Sequence, residues 1–315
     1  MSTTTDERET SLPDDPLVLP GPGGPGGELP PAHVPLLRRR SVRRATGRTV
    51  ALLVLAGLSV LVLLPFAWML VSSLKTNQQL FTVPVQWFVW PLHLSNYSNA
   101  LSLIPFWSQL ANTVLLSVLT VLGTVVSGSF VAYGLAKVDW PGRRLMFGLL
   151  LATMLLPGVI TLVPTYVIFR DLGWVNTYLP LIVPTFLGSP YYVFLFRQFF
   201  LRIPEAISEA ARIDGASELW IYARVVLPVS WPVISAVAVL AFVQAWTDYL
   251  GPLIYLNQPS QWTLSLGLTA FLTKYSAQWN FMMAAAVVFT LPLIIVFFAA
   301  SKYFLKGIAF DTDVG

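Results

Sequence analysis

Residues 205–232 read EAISEAARIDGASELWIYARVVLPVSWP, a polar island between long apolar runs. Glu205, Glu209, Asp214 and Glu218 stand in it; between Arg48 and the C-terminal tail the remaining acidic residues are Asp139, Asp171 and Asp248. Local chemistry predicts two helices joined by a turn. Pro204 suits a first helical turn, where its missing N–H costs nothing. Glu205 is favourable beside the positive end of the helix. Ile207, Ala210 and Ala211 recur at i, i+3 and i+4 as a small-residue apolar stripe. Ser208 and Arg212 occupy the other side, with Glu209 three residues from Arg212 and within reach of an ion pair. Asp214-Gly215 stops the helix, Gly215 supplying the left-handed conformation. Ser217 is an N-cap for a second helix, Glu218 to Val226. Pro228 and Pro232 mark the return to apolar chain. A merely solvated loop needs neither the stripe nor the second helix, so the island is expected to be a docking surface.

The chain around it is 56% hydrophobic and 11% charged, against about 25% charged residues in a typical soluble domain. An integral membrane protein is expected. A helix needs about 20 apolar residues to cross the hydrocarbon, and six stretches qualify: Thr49–Leu74, Ala111–Ala136, Leu145–Phe169, Tyr178–Phe200, Val229–Leu250 and Met282–Leu305. The second carries Gly123, Ser127, Gly128 and Ser129, small enough for close helix approach. Pro157, Pro164, Pro184, Pro190 and Pro292 in the third, fourth and sixth predict broken helices around a cavity, since an interior proline removes a backbone hydrogen bond. The expected fold class is an all-α polytopic membrane protein of six transmembrane helices, with a cytoplasmic helix–turn–helix between spans four and five.

Ahead of the first span, residues 13–35 are rich in proline and glycine and cannot bury enough apolar surface to offset ordering; a disordered tail is expected over 1–47. Its end carries Arg38, Arg39, Arg40, Arg43, Arg44 and Arg48, a cluster that stays in the cytoplasm and attracts anionic lipid. Charge then sets the topology. With the N-terminus inside, cytoplasmic segments hold Lys137, Arg143, Arg144, Arg197, Arg202, Arg212, Arg224, Lys302 and Lys306, and external ones Lys75, Arg170 and Lys274. That bias places both termini and the island in the cytoplasm, as a multi-pass protein of the cell membrane. The external stretches Asn77–Gln109 and Gly251–Asn280 carry Trp87, Trp90, Trp107, Trp262 and Trp279, consistent with an interfacial aromatic belt.

Chemistry is sparse. The chain has no cysteine, and His33 and His93 are far apart. The sequence offers neither a metal-ligand cluster nor a Ser/His/Asp set, and no enzyme is expected. No GxxxxGK[ST] loop is present, so ATP hydrolysis must come from a partner chain, or transport must run on an ion gradient. An ion relay needs ionisable groups in mid-membrane; the spans offer only Asp248 and Arg197, near their ends. Nucleic-acid binding has no folded basic domain to carry it.

Glu209-Ala210-Ala211, Asp214-Gly215-Ala216, Val226-Leu227-Pro228 and Pro232 resemble the EAA motif of ABC-importer permeases. Asn112-Thr113, Ala132-Tyr133-Gly134-Leu135-Ala136-Lys137, Leu156-Pro157 with Pro164, Trp246-Thr247-Asp248-Tyr249 and Met282-Met283-Ala284-Ala285 are similar to the carbohydrate-importer permeases of the binding-protein-dependent type, the family to which maltose permeases belong. The resemblance covers about residues 48–310. The family often has Asn-Glu-Phe where Thr247-Asp248-Tyr249 stand here, and its tail after Lys306-Gly307 differs, leaving 311–315 as a cytoplasmic tail without an assigned contact. The resemblance implies a permease subunit forming half of a translocation pore with a second permease as a heterodimer. It also implies two copies of a cytoplasmic ATPase that use the ATP, and an extracytoplasmic solute-binding protein. It puts Glu209, Ala210, Ala211, Asp214, Gly215, Ala216, Leu227 and Pro228 at the ATPase coupling element, residues 204–228. The chain itself is expected to bind no cofactor. A sugar is the expected solute and a glycerol-phosphate-type solute the alternative. Gln244, Trp246 and Tyr249 offer an amide and aromatic faces suited to a sugar; bundle packing is the competing role for them.

Overall fold

The computed structural model describes residues 36–88, 90–272 and 277–309, with side chains described from Arg48 to Ala300. The expectations for the proline- and glycine-rich tail up to residue 35, for Lys274 and for the tail 311–315 lie outside the described residues. Among these the regular structure is helical, apart from an isolated bridge between Leu272 and Ala277. In chain order the helices are α1 (Leu36–Ser73), α2 (Ser95–Leu103), α3 (Phe106–Ala136), α4 (Arg143–Met154), α5 (Gly158–Asp171), α6 (Leu179–Ile182) and α7 (Pro190–Phe200). They continue with α8 (Glu205–Ile213), α9 (Glu218–Val229), α10 (Trp231–Thr247), α11 (Leu250–Tyr255), α12 (Leu264–Gly267) and α13 (Trp279–Ala309).

Four stretches are long and apolar enough to cross a membrane: Arg48–Ser73, Phe106–Ala136, Leu179–Phe200 and Trp279–Ala300. Two further candidates are bent pairs, α4 with α5 at 101° and α9 with α10 at 80°, giving six spans when each pair counts as one. The break expected in Leu145–Phe169 is present, at Pro157, whereas the expected continuous span Val229–Leu250 is corrected. The first breaks because Pro157 has extended backbone (φ −59°, ψ 132°) and no N–H to continue the ladder, so α5 restarts at Gly158. The second bends at Ser230 (φ −88°, ψ 11°), with Pro232 in the first turn of α10, and its helix ends at Thr247. Pro184 lies in a 3₁₀ turn, Val183–Leu187, that ends on left-handed Gly188 before Pro190 opens α7. Pro164 and Pro292, in contrast, lie inside unbroken helices. The stretches expected as loops contain α2, α11 and α12, and Lys75 is enclosed there, donating to the Gln86 carbonyl above the Trp68 ring.

The described chain divides into two units at Leu61–Val62. In the first, every side chain from Arg48 to Leu61 is exposed, leucines and valines included. The second unit shows the same inversion on α5, where Val159 is 78% exposed. Apolar surface of this extent suits lipid rather than water.

Within the second unit α3 is the central member, packed against α7 and α10. Its small residues are the reason. A Cβ on Gly123 would strike Thr185 and come within 2.6 Å of the Phe186 ring. The Ser127 hydroxyl donates to the Thr185 carbonyl at 2.8 Å, and Ser129 bonds the Tyr222 hydroxyl at 2.8 Å. One buried cluster joins α3, α7, α9 and α10 through Tyr133, Phe196, Phe200, Ile221, Val226 and Val237. Another gathers α2, α10 and α13 around Trp246, Ala284 and Ala285.

Candidate functional site

The polar island folds as its local chemistry dictates. Pro204 enters in extended conformation and α8 starts at Glu205. Gly215 has φ +82°. The Ala216 N–H donates to the Ala211 carbonyl at 3.0 Å and the Gly215 N–H to the Arg212 carbonyl at 3.0 Å. This pair of bonds is a Schellman motif, which satisfies the last carbonyls of α8. Ser217 then caps α9, its hydroxyl accepting the Trp220 N–H at 3.3 Å. A π-helical turn, Tyr222–Val226, leads to the bend at Ser230.

An ion network anchors α8 to the end of α3. Lys137, its side chain 4% exposed, donates to the Ile203 carbonyl at 2.6 Å and to Glu205 at 3.0 Å. Arg212 donates to Glu205 at 2.9 Å, to Glu218 at 2.7 Å and to the Lys137 carbonyl at 3.2 Å. Tyr133 donates to the second oxygen of Glu218 at 2.6 Å. Burial works against the charged form of Glu205, but its bonds to Lys137 and Arg212 outweigh that and hold the carboxyl below the usual range. The bonds to Glu218 and then Glu205 hold the Arg212 guanidinium above its own. The expected Glu209–Arg212 pair is corrected: Arg212 turns toward the body, and Glu209 stands exposed with no ion pair among the described residues. The clamp was missed because its partners are far apart in sequence. Glu205 and Arg212, two helical turns apart on one face, were the available signal.

Ser208 is fully buried beneath α8, whereas Ile207, Glu209, Ala210, Ile213, Asp214 and Gly215 face outward. Ile213 is 85% and Trp220 51% exposed, so the outer side of the turn is apolar with two acidic groups on it. Ala211 and Ala216 pack inward against the buried cluster, as does Leu227. Leu227 and Pro228 lie at the end of α9, near the bend, apart from the outward side of α8.

A second feature lies at the far side of α3. A cavity of about 250 Å³ is lined by Thr120 and Thr124 of α3, Tyr192 of α7, and Gln244 and Asp248. Tyr192 donates to the Gln244 side-chain carbonyl at 2.8 Å, and Asp248 accepts the Gly251 N–H at 3.1 Å. The three expected solute residues are not brought together. Trp246 is 2% exposed, its indole N–H donating to the Phe289 carbonyl at 3.0 Å and its ring packed on Phe242 and Phe289. Tyr249 lines a different pocket, of about 320 Å³, with Thr269 and Phe289. Helical phase explains the split: Gln244 and Asp248 are four residues apart on one face, and Trp246 points away from both.

Comparison with known proteins fits this geometry. Residues 124–309 match the family described as binding-protein-dependent transport system inner membrane component. The chain belongs to that family. This inner membrane component is 32% identical over 275 residues to the arabinooligosaccharides transport system permease protein AraQ of Bacillus subtilis (strain 168), covering 86% of this chain and 97% of that one. It is 29% identical over 282 residues to the sn-glycerol-3-phosphate transport system permease protein UgpE of Brucella abortus (strain 2308), covering 87% and 98%. In fold it matches a chain of a bacterial ABC transporter involved in the import of the acidic polysaccharide alginate, with a TM-score of 0.70 and 24% identity over 83% of this chain and 97% of that one.

Proposed function

We propose that this inner membrane component is the permease subunit of an ATP-driven importer of a sugar or oligosaccharide. It forms half of the translocation pore beside a second, non-identical permease. The observation that carries the reading is the outward side of α8 and its turn: Ile207, Ala210 and Ile213 exposed on a helix clamped from behind by Arg212 and Lys137. A helix held rigidly on one side and apolar on the other is suited to transmit a push from a docked protein. The pushing partner is a cytoplasmic ATPase present in two copies, one per permease. Glu209, Ala210, Asp214 and Gly215 are the contact residues, Ala211 and Ala216 back them from the inward side, and Leu227 and Pro228 pass the motion through the bend into α10. ATP is bound and hydrolysed by that partner, and an external binding protein delivers the solute. The excess of Lys and Arg on one side supports a cytoplasmic position for the α8 turn and both termini. A sugar is favoured by the likeness to the arabinooligosaccharide permease. The test is recovery of the tagged chain from native membranes in mild detergent. An ATPase, a second permease and a solute-binding protein are expected with it; a complex lacking any ATPase refutes the proposal.

A further inference from the structure

The cavity beside α3 has a chemistry of its own. The side-chain hydroxyls of Thr120 and Thr124 have no partner among the described residues, and the Gln244 amide nitrogen likewise has no acceptor among them. Asp248 accepts the Gly251 N–H at Oδ1 and also interacts with the Leu250 N–H; a carboxylate has about four accepting positions, so about half of its capacity is free. The lining therefore offers both donors and acceptors, the complement that a vicinal pair of hydroxyls requires, since each hydroxyl gives one bond and takes two. The lining residues include no Lys, Arg or His, so the charge that Asp248 contributes is the cavity's own and is unopposed there. Apolar walls such as Leu116 and Leu181 focus that field into the space rather than dissipating it.

We infer that this cavity is a subsite for the hydroxyls of a neutral polyhydroxylated solute, and that Asp248 makes it refuse anions. The inference rests on the reading of the chain as a transport permease and sharpens it. It separates a neutral sugar from a phosphorylated solute such as the one named for the sn-glycerol-3-phosphate relative. Gln244 and Asp248 contact the solute; Tyr192, through its bond to the Gln244 carbonyl, fixes the amide so that its N–H₂ group points to the space.

The chain has no cysteine, so a single thiol can be placed in the cavity by Thr120→Cys in the whole transporter complex. The probes are a cationic and an anionic methanethiosulfonate reagent, with rates normalised to a free thiol and labelling read on this chain. The anionic reagent is expected to react roughly tenfold more slowly than the cationic one. Asp248→Asn keeps an acceptor for the Gly251 N–H but removes the charge, and should bring the ratio close to one; Asp248→Glu should keep it. A merely capping Asp248 would leave the ratio unmoved in Asp248→Asn. That result, or a thiol that neither reagent reaches, overturns the inference. The solute released from the copurified binding protein is expected to be neutral, and one bearing phosphate, sulfonate or carboxylate also overturns it. Absence of an ATPase from the complex is a different failure, that of the proposed function itself.

Discussion

Replacement of Gly215 isolates the turn after α8. Its φ is +82°, and a Cβ built there meets nothing within 4 Å. The cost of a side chain is thus conformational and not steric within this chain. An L-residue in the left-handed region costs roughly 1–2 kcal/mol, and a β-branched one sits at the upper end. Asn tolerates the region far better. A loss of 1–2 kcal/mol corresponds to a factor of roughly 5–30 in the ratio of native to non-native turn. That population is what keeps the Ala216 and Gly215 N–H groups on the Ala211 and Arg212 carbonyls. Solute uptake driven by ATP should therefore fall in the order Gly, Asn, Ala, Val, with Gly215→Val close to inactive and Gly215→Asn close to wild type. The assay is uptake by cells carrying the complete transporter, corrected for the amount of chain in the membrane. Normal uptake by Gly215→Val refutes the reasoning. Equal damage by Asn and Val would show that a docked partner refuses the Cβ itself, and that backbone conformation is not the limit.

Other outcomes follow from the same geometry. Arg212→Met leaves Glu205 and Glu218 facing each other without their shared cation, and should cost about 1–2 kcal/mol after allowance for solvent exposure, read as a lower Tm of the purified chain. The Glu205 carboxyl is held below its ordinary value of 4.5 when folded, so the unfolded chain binds more protons just below that pH. Stability is then fully present above about pH 4.5, falls as pH drops through the folded value, and loses part of that slope in Glu205→Gln; thermal melts across pH 3–6, roughly the ordinary carboxylate range, check this. Gly123→Val would drive its side chain into Thr185 and Phe186, an overpacking worth about 1–3 kcal/mol, seen as a lower Tm and a lower yield of monodisperse protein.

Much of this architecture was legible because it is written in local chemistry. Asp214-Gly215 and Ser217 act on bonds within five residues of themselves, so a turn and a cap could be read directly. The small residues of α3 were equally plain, since only a helix–helix contact explains four of them on one span. The ion clamp was not legible, because Tyr133 and Glu218 are separated by 85 positions and nothing local pairs them. Arg212 had an acidic neighbour at Glu209, and the sequence could not say that tertiary packing would turn it toward Glu218. The break at Pro157 was one of five candidate prolines, and only the bend decides which of them interrupt a helix. For Gln244, Trp246 and Tyr249, residue type grouped what helical phase separates: Trp246 is buried in the bundle, and Asp248 shares the cavity that Gln244 lines.

The length of α3 gives the clamp a reach. It runs 31 residues without a proline or a break, about 46 Å at the helical rise. Lys137 follows its last residue and Thr120 lies roughly 25 Å back along the axis. An unbroken helix of this length is suited to serve as a connecting rod between the clamped end and the cavity wall. A tilt of about 5° about the Lys137 end would carry Thr120 sideways by about 2 Å over that length, enough to break or make a hydrogen bond at the cavity wall. The bent pairs α4–α5 and α9–α10 carry breaks at Pro157 and Ser230, and α3 carries none.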